Sequence, residues 1–206
     1  MITGEQLRNA LARYVPAEAV DTCFGWIRQH RIRVRVKHSR QTKYGDYRPP
    51  SGGNGHVITI NHDLNPYAFL LTFTHEVAHL TCFLKHRDRV APHGAEWKEE
   101  FRTLISVFLE MGVFPKEVEV AIKNYMRDPA ATSCADVELM KALRSHDSDR
   151  EGWLPLEEVP FNAGFRLRNG MHFIKGHKLR KNFECFEVES RHKYFIHPLM
   201  EVMPLS

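Results

Sequence analysis

Apolar and polar positions follow two rhythms along this chain, and the change between them divides it. Leu7, Leu11 and Tyr14 recur at helical spacing behind Thr3 and Gln6, a pair suited to a capping box, until Pro16 interrupts. A second helix is expected over 16–29. From Arg31 the period drops to two: Ile32, Val34 and Val36 alternate with Arg31, Arg33, Arg35 and Lys37, as in a strand with one buried face. Gly45-Asp46 and the stretch 49–55 read as turn or loop, and 56–60 as a second strand paired with the first. Asp63 or Asn65 can cap the next helix, Pro66 suits its first turn, and Phe69, Leu70, Phe73, Val77, Leu80 and Leu84 form its apolar stripe. Ala91-Pro92 breaks that pattern. Trp97, Phe101, Leu104, Ile105 and Phe108 then predict a helix over 94–111, ended by Gly112 and Pro115, with further helices over 116–126 and 135–144.

The segment 145–151 is polar and reads as a linker. Beyond Pro160 short strands take over, with Asn169-Gly170 as a hairpin turn between 165–167 and 172–174, and further strands over 183–188 and 194–197. The expected class is α+β. Residues 1–150 form a helical domain with a small antiparallel sheet, and residues 151–206 a small all-β unit.

Composition narrows the setting. A chain of 206 residues can bury a substantial core, and no stretch nears the roughly 20 apolar residues of a membrane-spanning helix, so a transmembrane helix is excluded. The first five residues carry no basic cluster leading into an apolar run, and the expected location is cytoplasmic, away from the membrane. Cys23, Cys82, Cys134 and Cys185 lie far apart and form no C-x-x-C pair, which argues against a cysteine-based zinc ribbon or a disulfide framework. The net charge of +4 is compatible with a polyanion without demanding one. Thirteen histidines direct attention to metal chemistry.

His75-Glu76-Val77-Ala78-His79 is an H-E-x-x-H motif inside the expected central helix. Residues four apart share a helical face, so both imidazoles can reach one metal. Glu76 is rotated around the helix and can touch a metal-bound water without ligating. That arrangement suits zinc hydrolysis, in which the metal lowers the pKa of its water toward about 7 and the carboxylate takes the proton. A catalytic zinc takes three protein ligands and keeps an open position. Cys82 and His86 continue the same face but stand about 10 and 16 Å along the axis from His75, too far for one ion. The chain must therefore turn back. Ala91-Pro92-His93-Gly94 supplies the break, with His93 as first choice and Glu96 as the rival, either as third ligand or as an acceptor that orients a ligand imidazole.

H-E-V-A-H followed by His93-Gly94-Ala95-Glu96-Trp97-Lys98 resembles the SprT-like family, zinc metallopeptidase domains related to the Spartan proteases that degrade proteins crosslinked to DNA. Lys43-Tyr44-Gly45-Asp46-Tyr47-Arg48, Ile58-Thr59-Ile60-Asn61 and Leu64-Asn65 are similar to that family's approach to its zinc helix, and the resemblance covers roughly residues 5–112. It implies a zincin-like domain binding one Zn2+ through His75, His79 and His93, with Glu76 catalytic. A C-terminal four-cysteine zinc ribbon, common in bacterial members, is not expected, since Cys185 alone lies in that region.

Two basic groups could meet nucleic acid. Arg31, Arg33, Arg35 and Lys37 share a strand face, with Arg28, Arg40, Lys43 and Arg48 nearby, although exposed strand faces are commonly charged to discourage edge pairing. Lys175, His177, Lys178, Arg180 and Lys181 interleave with Phe173 and Phe183, a composition of single-strand binders that also arises when aromatics fill a small core. The expected function is a zinc-dependent endopeptidase acting on polypeptides, among them proteins bound or crosslinked to DNA, single-stranded DNA being the favoured partner. Tyr67, His86 and the neighbouring arginines are open candidates for stabilising the oxyanion. The alternative is a nucleic-acid-associated regulatory protein with a closed structural zinc site, for example with Glu96 joining the three histidines.

Overall fold

The computed structural model describes residues 3–38, 43–53, 55–129, 136–147 and 152–205. Arg40, Cys134, Ala135 and most of the expected linker lie outside them. The chain divides into two compact units, Met1–Asp147 and Ser148–Ser206. No helix among the described residues is long and apolar enough to cross a membrane.

In the first unit, α1 (Gly4–Leu11) starts with the expected capping box, in which the Thr3 hydroxyl accepts from Gln6 N and the Gln6 side chain accepts from Thr3 N. A 3-10 turn, Ala17–Ala19, leads into α2 (Val20–Gln29), which buries Cys23, Phe24 and Ile27. Arg31 then takes a positive φ of 50° and lies in the turn before β1 (Arg33–Lys37), so it does not join the row formed by Arg33, Arg35 and Lys37.

The sheet departs from expectation. β2 (Gly45–Arg48) is a strand rather than a turn, and the order is β1-β3-β2, with β3 spanning Val57–Asn61. β3 pairs antiparallel with β2 but parallel with β1, Val34 standing opposite Ile58, so the sheet is mixed rather than antiparallel. Burial explains the order. β3 is buried from Ile58 through Asn61 and takes the centre, while the polar β2 occupies an edge, where strands without a continuous apolar run belong.

β3 delivers the chain to α3 (Pro66–His86), capped by Asn65 rather than Asp63. Asn65 Oδ1 accepts from Tyr67 N and Ala68 N at 3.1 and 3.0 Å. Its amide donates to Leu143 O at 2.8 Å and Asp147 Oδ1 at 2.5 Å, tying the start of α3 to the end of α6 (Val137–Arg144). From Ala68 to Ala78 every α3 side chain is buried, as befits a helix covered on all sides. Leu84, expected in its apolar stripe, is 41% exposed. After a 3-10 turn (Arg87–Arg89), α4 (Ala95–Glu110) packs against α3 through Trp97, Phe101, Ile105 and Phe108, and α5 (Lys116–Tyr125) adds Val118, Ile122 and Tyr125.

The second unit is a six-stranded sheet in the order β4-β9-β5-β6-β7-β8, with antiparallel pairing throughout the described strands. The strands are β4 (Leu154–Pro155), β5 (Gly164–Arg166), β6 (His172–Lys178), β7 (Phe183–Glu187), β8 (Lys193–Ile196) and β9 (Glu201–Pro204). β pairing thus begins before Pro160, and β9 is an additional strand. The hairpin at Asn169-Gly170 is where the sequence places it, with Gly170 at φ 87°. Phe165, Phe173, Phe183, Cys185 and Val202 fill the core.

Candidate metal centre

α3 stacks His75 and His79 one turn apart, and the loop after it returns His93 to the same point. His93 has φ 60°, a left-handed backbone that costs a non-glycine residue on the order of 1 kcal/mol and that histidine adopts more readily than most. Gly94 N then donates to Ala91 O at 3.0 Å, closing the turn before α4 begins. The three Nε2 atoms converge, at 3.3 Å for His75–His79, 2.9 Å for His79–His93 and 3.2 Å for His75–His93.

These distances cannot describe three good hydrogen bonds. A neutral imidazole Nε2 is a donor or an acceptor according to its tautomer. With three atoms and two roles, at least one pair sets donor against donor or lone pair against lone pair. A cation among three lone pairs removes the conflict, and tetrahedral Zn2+ at about 2.0–2.1 Å from each nitrogen would space them about 3.3–3.4 Å apart. The residues therefore fit the ion. Burial, and after it the neighbouring His79 and His93, hold the His75 pKa well below its ordinary 6.5. Burial and His93 lower His79 to about 4, and burial lowers His93. All three are held neutral, the form that ligates.

Among the described residues, the groups able to hold one ion together are these three histidines. Glu96 is exposed and makes no hydrogen bond to any of them, so the structure brings it in neither as a third ligand nor as an orienting acceptor. Glu76 is 5% exposed and sits beside the trio without belonging to it. Its position explains a glycine the sequence pattern assigns to a turn. A Cβ on Gly45 would lie 2.5 Å from Glu76 Oε1 and 2.7 Å from Thr72 Cγ2, so β2 can approach the carboxylate this closely only with glycine there. The signals in the sequence were a glycine in an otherwise strand-compatible stretch, Gly45-Asp46-Tyr47-Arg48, and the likeness of 43–48 to the SprT-like approach to the zinc helix.

The remaining candidates lie elsewhere. Tyr67 packs against Phe114 and His146 in the first turn of α3, about 12 Å along the axis from His75, and His86 is about 10 Å beyond His79. Arg33, Arg35 and Lys37 are exposed along β1. In the second unit Lys178, Arg180 and Lys181 are exposed, but Phe173 and Phe183 are core residues, 1% and 7% exposed, and Lys175 is buried. Those phenyl rings are closed to bases: Phe173 stacks on Phe165, and Phe183 faces the Lys175 ammonium within the same buried cluster.

Comparison with known proteins agrees with the site. No curated protein and no solved structure matches the chain. The family model described as SprT-like family matches residues 13–124, from just after α1 into the last turn of α5, with the three histidines and Glu76 inside. Since that match spans more than half of the sequence, the chain belongs to the SprT-like family.

Proposed function

We propose that the protein is a zinc-dependent endopeptidase in which His75, His79 and His93 hold one Zn2+ and Glu76 moves the proton. The observation that carries this reading is the convergence of three neutral imidazole nitrogens next to a buried carboxylate. Zn2+, when bound, supplies Lewis-acid polarisation of the scissile carbonyl and of the attacking water. Glu76 accepts the water's proton on its carboxylate and passes it to the leaving amine. The backbone of β2 at Gly45 confines Oε1 and so aims the carboxylate. Three protein ligands among the described residues support an open, catalytic site over a closed structural one.

The substrate is a polypeptide, and the finer proposal is a protein bound or crosslinked to DNA, single-stranded DNA being the partner. The resemblance to Spartan-related domains and the exposed Arg33, Arg35 and Lys37 row support it. The test is cleavage of a DNA-binding protein by the zinc-loaded chain, with and without single-stranded DNA and with Glu76→Gln as control. Cleavage that needs Glu76 and DNA supports the full proposal. Cleavage that needs Glu76 alone reduces it to a general peptidase. Absence of cleavage with zinc bound turns the reading to a regulatory protein with a structural zinc.

A further inference from the structure

All three imidazoles rest on one side chain. Trp97, in the first turn of α4, is 1% exposed, and its ring centroid lies 4.6 Å from that of His75, 5.2 Å from His79 and 4.7 Å from His93. Phe101 stacks on it at 5.3 Å with the planes 10° apart, and Tyr125 meets Phe101 edge-on at 5.9 Å. The indole is therefore backed by the core and cannot easily recede.

A ligating histidine ordinarily has its other ring nitrogen hydrogen-bonded to a carboxylate or carbonyl, which fixes the orientation of the ring. Here no protein group among the described residues bonds Nδ1 of His75, His79 or His93, and their neighbours within hydrogen-bonding range are one another's Nε2 atoms. The torsion that turns an imidazole about its Cβ–Cγ bond is broad, so without a lock the nitrogens would swing out of register. Among the described residues, Trp97 is the one aromatic side chain in ring contact with all three imidazoles. Its own Nε1 is buried without a hydrogen-bond partner. A buried indole N–H usually finds an acceptor. An orphaned one indicates that packing against its neighbours, and not a bond of its own, sets the ring's place.

We propose that Trp97 is the positioning residue of the metal centre: its flat ring holds the three imidazoles in the metal-ready arrangement, in place of hydrogen bonds to their Nδ1 atoms. This rests on the reading of the trio as a zinc site. Packing by a plate predicts that another flat, apolar ring serves, whereas a flexible side chain of similar bulk does not.

The test compares the wild-type chain with Trp97→Phe, Trp97→Met and Phe108→Leu. Phe108 is a fully buried α4 residue packed on Trp26 and serves as a control for core damage. Zn2+ affinity is read by competition with a chromophoric chelator, ligand geometry by the visible absorption of the Co2+-loaded protein, and folding by thermal melting. Trp97→Met is expected to bind Zn2+ about 10- to 100-fold more weakly and to alter the Co2+ spectrum. Trp97→Phe is expected to restore both, and Phe108→Leu to melt earlier with both unchanged. Wild-type affinity and spectrum in Trp97→Met overturn the proposal, as does an equal loss of affinity in Phe108→Leu or in Trp97→Phe. Should Trp97→Met not fold, NMR order parameters of the imidazole rings in metal-free wild type decide. Rings as rigid as buried core aromatics support the plate, and rotational averaging overturns it. A wild-type chain that binds neither Zn2+ nor Co2+ overturns the metal reading itself, an outcome distinct from the others.

Discussion

The two units bury ionisable side chains in opposite ways. In the C-terminal unit Lys175, 4% exposed, donates to the carbonyl oxygens of Glu157 at 3.0 Å and Val159 at 2.5 Å, and its ammonium lies 4.0 Å from the centroid of the Phe183 ring. Each direction in which that nitrogen can donate meets a backbone oxygen or a π face, so the group is satisfied and pins the 3-10 turn Leu156–Glu158 to the sheet. In the N-terminal unit three imidazoles point nitrogens at one another in an arrangement that no choice of tautomers can satisfy. A buried polar group with its partners in place stabilises a fold. A convergent set of lone pairs without a shared donor fits a cation among them.

The contrast has measurable consequences, and the largest belongs to Glu76. Glu76→Gln is expected to slow peptide cleavage about 10²- to 10⁴-fold while zinc content by atomic absorption stays at the wild-type level. Loss of zinc in that variant would make Glu76 a ligand and dissolve the distinction between trio and carboxylate. Lys175→Met deprives two carbonyls of their donor and should cost about 1–3 kcal/mol in chemical denaturation, with zinc affinity untouched. An unchanged denaturation midpoint would mean that the lysine does not pin the turn. Gly45→Ala forces a methyl group against Glu76 and Thr72. Because Thr72 Cγ2 and Glu76 Cγ must give way as well as the carboxylate end, about 1–3 kcal/mol of stability should be lost, together with part of the cleavage activity, while zinc remains bound. Full activity in that variant would separate β2 from the aim of the carboxylate.

A further consequence lies in pH. Unfolded imidazoles take up protons near 6.5, whereas folded His79 resists until about 4, and His75 and His93 are shifted the same way. The unfolded chain therefore binds more protons between those values. The metal-free protein should lose stability as pH falls from about 6.5 to about 4. A melting temperature flat across that window would show that the imidazoles are not held neutral.

What the sequence made readable was mostly local. His75, Glu76 and His79 share one helix, so their spacing is their geometry, and the Asn65-Pro66 start and the Asn169-Gly170 hairpin are likewise contained within a few residues. His93 needed a break in the helix and a resemblance. Features set by distant partners were not readable. A period-two pattern reports a buried face but not the direction of pairing, which is why the parallel union of β1 and β3 was missed. A glycine in a turn and a glycine under a carboxylate look alike in sequence, which hid β2. Trp97 was legible as a core residue from its place in the α4 stripe, but its contact with three imidazoles exists only once α4 lies on α3. In the same way Phe173 and Phe183 could not be assigned to surface or core until the sheet was assembled.

Asn65 caps the helix that carries His75 and His79, and its amide reaches Leu143 and Asp147, both beyond residue 124, where the family match stops. The limit of kinship is therefore not the limit of cooperative folding. A fragment cut at 124 would retain His75, His79 and His93 and yet leave that amide without its carbonyl and carboxylate, loosening the first turn of the helix that holds His75 and His79. Any shortened form meant to keep zinc should run at least to Asp147.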